Sequence, residues 1–481
     1  MKLFLISWSG NEKGLVDVAA NLRSLSHEIT YWACFGYERI DKTRFPNTIF
    51  HNVFDALEGK PAEGIDTFDF LLPGEDLIKE LYETEITVLT MMYKKFPHYS
   101  LEERKHLYYH FLWYWRGVLN KLKPDAIIYS GIPHTVYDYV VYSLAKKFGI
   151  KIIISEPILG NNGWEIIMND YKIGSADLIS QIKQNGTKQF SLADLKPDTR
   201  EHYQKHAEIG EDAPPFYLKQ DLRRYGGMGL FLTKLRSFWT SLTVLKDFSV
   251  FIKVFAYLPM RFGQNLKKEY ISVQSPADFE KPYVYATLQY QPEAQTCPQA
   301  GVFVDQVLMV EALSSVLPAG WFLYVKEHPI LWLRRGLRFF DFRYKGYYKE
   351  IAKLKNVKLV PVETNSFQLI RHSRAVATGA GSVGWEAILR SRPALIFGYP
   401  WYQHCHGVFK VRGTEDCRAA LKKINDGFKI PQEKVINFLA ALDRASFQGS
   451  FDLFDERISK ISLAQNVANI TGAIDKELKK I

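Results

Sequence analysis

The sequence predicts a two-domain α/β protein in which strands and helices alternate around parallel sheets, and three observations carry that expectation. The apolar run Phe322-Leu323-Tyr324-Val325 stops abruptly at Lys326-Glu327-His328-Pro329. This is the pattern of a buried strand with polar side chains at its end, where proline then sets the chain direction. Next, Ala375-Val376-Ala377 repeats the buried-strand pattern and runs into Thr378-Gly379-Ala380-Gly381-Ser382-Val383-Gly384, after which Trp385-Glu386-Ala387-Ile388-Leu389 reads as helix. Small residues let a backbone bend tightly near a ligand, and a helix start offers unpaired amide hydrogens to an anion. Finally, the same alternation opens the chain, with a strand over residues 3 to 8, a helix over 14 to 25 and a strand over 28 to 34. Two polar strand ends feeding one parallel sheet make a crevice of the kind in which such sheets bind nucleotides.

Composition is consistent with this. A chain of 481 residues with 47% hydrophobic and 14% aromatic residues can fill two cores, so disorder is not the default expectation. The cysteines, Cys34, Cys297, Cys405 and Cys417, are few and scattered, as expected in a reducing compartment without a disulfide framework. The apolar start, Met1 to Trp8, is too short for a signal peptide, and no uncharged apolar run reaches the ~20 residues of a membrane span. A cytoplasmic protein is expected. The net charge of +10 makes a negatively charged partner plausible.

In chain order, the first strand ends in Ser9-Gly10-Asn11, which would line the mouth of the crevice on the acceptor side or form a plain turn. Residues 40 to 120 carry helical periodicity and no readable site. Residues 124 to 134 read as a buried strand ending in a glycine turn, with His134 and Asp138 one helical turn apart at the start of the next helix. Residues 151 to 155 repeat the unit and end at Glu156, before Pro157 and the loop Gly160-Asn161-Asn162-Gly163. A carboxylate at a strand's carboxyl end points into the crevice, so Glu156 is the first candidate for general base or nucleophile, followed by His134 and Asp138. The alternative for Glu156 is a carboxylate capping a neighbouring helix, and for His134 a residue that caps its own helix.

Residues 176 to 215 are polar and read as a boundary, after which residues 219 to 268 interleave Arg and Lys with Phe, Trp, Tyr and Leu. That mixture suits a helix lying in an anionic membrane interface or an amphipathic linker, with single-stranded nucleic acid the least favoured partner. The second sheet domain opens with a strand over 282 to 288, followed by a helix over 303 to 317, strands over 321 to 325 and 356 to 361, a helix over 365 to 372 and a strand over 393 to 398. Residues beyond 414 are helical, and one of those helices can cross back. The expected organisation is a first Rossmann-like domain over 1–175, a linker and basic segment over 176–275, a second, nucleotide-binding domain over 276–430 and returning helices over 431–481.

Gln289-Tyr290-Gln291-Pro292-Glu293, Lys326-Glu327-His328-Pro329 and residues 378 to 387, in this order, resemble the bacterial capsule or surface polysaccharide biosynthesis glycosyltransferases. These are similar to Kdo transferases and to bacterial sialyltransferases with a histidine-proline motif. The resemblance extends over 282 to 412, is looser over 124 to 170, where Pro133-His134 and Glu156 match in type, and is absent from the basic segment. It implies the GT-B arrangement of two facing Rossmann-like domains, with the donor held by the C-terminal one. It also implies that His328, next to Pro329, contacts the donor phosphate or nucleotide, while Ser382 and the amides around Gly381 and Val383 bind phosphate.

Lys326 would assist or be a surface lysine at a strand end; Glu386 would reach a ribose hydroxyl or serve the helix dipole; Gln289, Gln291 and Glu293 are candidate donor-sugar contacts. The donor that the resemblance favours is a CMP-linked ulosonic acid, with a UDP- or dTDP-hexose as the alternative, and the acceptor a glycan or lipid-linked glycan. No cofactor beyond the donor is expected. An Asp-x-Asp triplet is missing from the sequence, so a metal-held diphosphate lacks its usual ligands. His404-Cys405-His406 lacks the paired spacing of a zinc site and reads as a pocket loop. An enzyme peripheral to the inner face of the cell membrane is therefore expected; a sugar-nucleotide epimerase and a non-catalytic capsule assembly or export factor are the other classes.

Overall fold

The computed structural model describes residues 1–8, 14–96, 98–159, 163–186, 188–208, 266–290, 296–332, 343–451 and 460–480, with 229, 232, 235, 236 and 239 besides. Ser9, Gly10, Asn11, Gln291, Glu293 and most of the basic segment lie outside them.

Two sheets organise the described chain. The first contains β1 (Lys2–Ile6), β2 (Glu28–Cys34), β3 (Ile49–Asn52), β4 (Ala126–Tyr129), β5 (Lys151–Pro157), β6 (Trp164–Met168) and, from far down the chain, β13 (Phe447–Gln448). Their order is β13-β6-β5-β4-β1-β2-β3. β1 to β5 run parallel, while β6 is antiparallel to β5 and β13 antiparallel to β6. The second sheet contains β7 (Tyr283–Thr287), β8 (Phe322–Lys326), β9 (Val357–Leu359), β10 (Ala375–Thr378), β11 (Ala394–Ile396) and β12 (Val408–Lys410), in the order β12-β11-β10-β7-β8-β9. Its ladders are all parallel. Strands buried along nearly their whole length, such as β4 and β10, explain why the sequence runs were continuously apolar rather than alternating. Two Rossmann-like domains result.

Several elements differ from expectation. The stretch over residues 40 to 120 is not all helix: β3 extends the first sheet because Tyr31 to Cys34 on β2 offer it a partner ladder, and Asn52 then caps the next helix. The antiparallel β6 was not anticipated, since five residues after a glycine loop carry little periodic signal. The helix expected over 303 to 317 breaks into a 3-10 turn, Gly301–Val304, and a helix, Gln306–Ser314, because the Asp305 carboxylate caps the amides of Val307 and Leu308.

The chain after the second sheet comes back to the first. Helix Leu463–Leu478 packs on helix Leu15–Ser24, burying Ile470, Ile474 and Leu478 among Leu3, Leu5 and Val18. Between the domains, Trp164 and Leu178 share one apolar cluster with Trp385, Ile388 and Phe438. The segment expected to be a boundary is therefore structural: helix Ala176–Asn185 packs against helix Gln432–Ala445, and Asn185 Nδ2 donates to Asn437 O at 2.8 Å. All four cysteines are free and buried. No helix among the described residues is long and apolar enough to cross a membrane.

Candidate active site between the two sheets

The order of the second sheet puts its switch point between β7 and β10, and the carboxyl ends of those strands flank the crevice. Thr287 Oγ1 and Thr378 Oγ1 are 3.4 Å apart there. Beyond β7, Gln289 is buried and lies across the glycine turn. Its Oε1 accepts from Ala380 N at 3.2 Å, and Thr378 Oγ1 accepts from Gly381 N at 3.3 Å. A Cβ at Gly379 would sit 2.5 Å from Gln289 Oε1, and one at Gly381 would sit 2.4 Å from Gln289 Nε2. These glycines therefore make room for a glutamine amide of the protein itself. Gln289, a candidate sugar contact, is a brace between two strand ends, and the amides at Ala380 and Gly381 are already engaged. By helix geometry the next amides, at Ser382 and Val383, lack intrahelical acceptors. Ser382 is exposed, and its Oγ lies 3.4 Å from Glu386 Oε1 on the following turn. Burial pushes the Glu386 carboxyl above its ordinary value.

The end of β8 divides its four polar positions among different tasks. Lys326 is buried, with Nζ donating to Thr364 O and to Ser366 Oγ at 2.8 Å, so it fastens β8 to the start of helix Ser366–His372. Burial pulls its pKa down to about 8. Glu327 is the hub. Its Oε2 accepts from Arg343 Nε at 3.0 Å and from Tyr348 Oη at 2.7 Å, and its Oε1 accepts from His328 N at 2.7 Å. Arg343 Nη2 also donates to Gln289 O at 2.9 Å, so one buried guanidinium ties the end of β7 to the end of β8. His328 is partly buried, and desolvation lowers its pKa to about 4, which keeps the imidazole neutral near pH 7. Pro329 opens a 3-10 turn, Pro329–Trp332.

Across from this, Glu156 stands near the end of β5, partly buried. Desolvation and then the Glu165 carboxylate raise its pKa to about 8, while a hydrogen bond from Gln299 of the second domain acts the other way. The Gln299 carbonyl accepts from Tyr399 N at 3.0 Å, so the loop after β11 supports it. Glu165 is buried on β6, where it accepts from Ser155 Oγ at 2.5 Å and from Phe451 N at 3.4 Å. A carboxylic group with so high a proton affinity, held where two domains meet, suits proton transfer near neutral pH.

His134 and Asp138 turn out differently. Asp138 is buried and accepts from His134 N at 3.2 Å and Thr135 N at 2.7 Å, with Ser7 Oγ at 3.5 Å. From the first turn of helix Tyr137–Lys147 it fixes the backbone turn that precedes it, and neither it nor His134 is a side-chain cap of that helix. His134 is exposed, with Nδ1 2.7 Å from Ile132 O. His404 Nε2 lies 2.9 Å from Ile173 O, Cys405 is buried and the His406 ring lies against Phe428, so the triplet spreads over separate surroundings.

The structure thus joins Gln289 to Glu327 through Arg343, ties His328 to Glu327, links Ser382 with Glu386, and sets Glu156 against Gln299. Sequence reasoning missed Glu165, Gln299 and Arg343. No spacing marks them, because each acts through a partner brought close only by folding.

Crevice, paired sheets and strand-end polar groups define the class: a two-domain α/β protein built on Rossmann-like sheets. Residues 276–431 match the family described as capsule polysaccharide biosynthesis protein. The match falls on the second sheet and its helices, the part of the chain where the sequence resemblance lay. No curated protein sequence matches the chain. Among solved structures, the chain is similar to the Thermosulfurimonas dismutans KpsC beta Kdo 2,7 transferase at 12% identity and a TM-score of 0.35, over 79% of this chain and 94% of that one. The KpsC beta Kdo 2,4 transferase of the same organism is similar at 11% identity and a TM-score of 0.31, covering 68% and 82%. The UDP-GlcNAc 2-epimerase of Neisseria meningitidis, bound to UDP-GlcNAc, is similar at 12% identity and a TM-score of 0.25, over 100% of both chains. At such scores these likenesses carry no argument about activity.

Proposed function

We propose that the protein transfers a sugar from a nucleotide-activated donor to a glycan or lipid-linked glycan, in the crevice between its two sheets and without a metal. The carrying observation is Glu156, a strand-end carboxyl with a pKa raised to about 8 and in contact with Gln299 of the opposite domain. As the acceptor hydroxyl attacks the anomeric carbon, its proton passes to the Glu156 carboxylate. The bond from that carbon to the donor phosphate breaks, and its electron pair leaves with the phosphate. Neutral His328 donates a hydrogen bond to the leaving phosphate, and the Ser382 hydroxyl with the first amides of helix Val383–Leu389 takes part of the developing charge. The donor favoured is a CMP-linked ulosonic acid, on the family resemblance rather than on any contact.

The enzyme works at the inner face of the cell membrane, held by the basic and aromatic segment. Supporting this, Leu232, Leu235 and Trp239 are helical and 58%, 45% and 57% exposed, at the spacing that gathers them on one helix face. Replacing Trp239 by Glu should weaken sedimentation with phosphatidylglycerol vesicles severalfold and leave nucleotide binding unchanged; equal sedimentation would remove this anchor.

The donor reading is tested by thermal stabilisation with CMP, UDP, dTDP and GDP, because a ligand that binds only the folded state raises the melting temperature. A shift with CMP alone supports the ulosonic acid donor. A selective UDP or dTDP shift moves the assignment to a hexose, and no shift with any nucleotide overturns nucleotide-sugar transfer.

A further inference from the structure

One strand outward from Glu156 there is a cavity of about 380 Å³ that the donor crevice does not use. It lies against β6, the edge strand β13 and helix Leu463–Leu478, and is lined by Trp164, Lys196, Arg444, Gln448, Asn469 and Lys476 among others. Its distance from the proposed chemistry is short along the sheet. Glu156 pairs with Ile166, and Ile158 N donates to Trp164 O at 3.0 Å, so the indole begins where the strand of Glu156 ends.

The charge around the cavity is biased. Asp177 is shared by Lys476 at 3.1 Å and Lys480 at 2.7 Å, and Glu477 by Lys480 at 2.6 Å and Lys151 at 3.1 Å. Two carboxylates therefore serve three lysines. Lys196 Nζ donates to the Asp443 carbonyl with the Asp443 carboxylate nearby, accepting from Lys196 N at 2.8 Å, and Arg444 Nε donates to Gln181 Oε1 at 2.7 Å; three carboxylates thus face five cations. Lys196 also lies 4.4 Å over the Trp164 ring, and burial holds its pKa below the ordinary lysine value. A cation already stripped of part of its water gains from an incoming anion.

A second observation concerns Gly472, in the middle of helix Leu463–Leu478 and on the cavity wall. A glycine inside a helix costs about 0.5–1 kcal/mol relative to alanine. Here no neighbour requires it, since a Cβ built at Gly472 meets nothing within 4 Å. The missing side chain leaves the cavity open on that side.

From the cavity, its cations and the open helix wall, we infer that this is an acceptor subsite for an acidic oligosaccharide, holding the carboxylated glycan beyond the residue that receives the new sugar. The inference rests on the glycosyltransferase reading. Lys196 and Arg444 meet carboxylates, the side-chain amide of Gln448 meets hydroxyls, and a cavity of this size lies within the usual range of small-ligand sites.

The test is calorimetric titration of the full chain with a short oligosialic acid, using a neutral dextran oligomer as control. Two variants are compared with the parent: Gly472→Phe, which fills the cavity from an open helix position, and Arg444→Glu, which reverses an exposed charge. Parent binding of oligosialic acid over dextran, weakened at least tenfold in both variants, is the expected result. No binding, equal binding of dextran, or affinity unchanged in both variants overturns the subsite. The nucleotide-induced melting shift, measured on the same samples, should persist in both variants. If the parent shows no nucleotide shift but its oligosaccharide binding is lost in the variants, glycosyl transfer falls while the acidic-glycan site stands.

Discussion

Replacing Glu156 by Gln should stabilise the fold while removing turnover, and the size of the first effect follows from proton linkage. In the unfolded chain the carboxyl titrates at its ordinary value of 4.5, whereas in the folded protein it titrates at about 8. Between those values the native state binds more protons than the unfolded one, so stability falls as pH rises. At pH 7 the unfolded carboxyl is ionised and the folded one mostly neutral, which costs the native state about 3 kcal/mol, reduced by roughly half for the part that water screens. The glutamine amide has the same shape and never ionises. Its variant should therefore melt several degrees higher at pH 7, with the gap shrinking to nearly nothing at pH 4.

Thermal unfolding of both proteins across pH 4 to 8 measures this without any substrate. A melting gap that does not grow with pH would refute the raised proton affinity, and with it the reason for placing the base at this residue. The catalytic side has its own signature. Because only the ionised carboxylate accepts a proton, kcat/KM should climb about tenfold per pH unit up to about 8 and then level. Retained turnover in the glutamine variant would remove Glu156 from the mechanism.

Three further outcomes follow from the other strand ends. Arg343→Met leaves Glu327 buried without its guanidinium, which should cost about 3–5 kcal/mol in urea unfolding; a loss below about 1 kcal/mol would mean that the pair does not hold the two strand ends. His328→Ala should abolish the nucleotide-induced melting shift while the unliganded melting temperature changes little, and an undiminished shift would contradict a phosphate contact. At Gly398 a Cβ would sit 2.4 Å from the Gln299 carbonyl oxygen and 2.9 Å from Ala300 Cα, both backbone, so Gly398→Ala must push the segment that reaches Glu156. It should destabilise by about 1–3 kcal/mol and displace the pH–rate profile, and an unaltered profile would detach Gln299 from the ionisation of Glu156.

Much of the architecture was legible because it depends on local pattern. Continuous apolar runs of strand length, ended by proline or glycine and followed by helical spacing, are enough to specify buried parallel strands, and Ala375-Val376-Ala377 and Phe322-Leu323-Tyr324-Val325 became β10 and β8. The placement of Glu156 at the end of β5 was readable in the same way. The short strands β3 and β6 were not, since four or five residues carry too little periodicity without the neighbour that pairs with them.

Within the site, sequence alone determined which side chains stand at strand ends, because strand direction and length decide that locally. What each does there was decided only by tertiary contact. Lys326 became a tether and Gln289 a brace over two glycines, because the acceptors and donors that claim them come from residues distant in the chain. The proton affinity of Glu156 likewise depends on burial, on Glu165 and on Gln299. Desolvation and charge proximity are properties of the packed chain, and no pattern of residues along the chain encodes them.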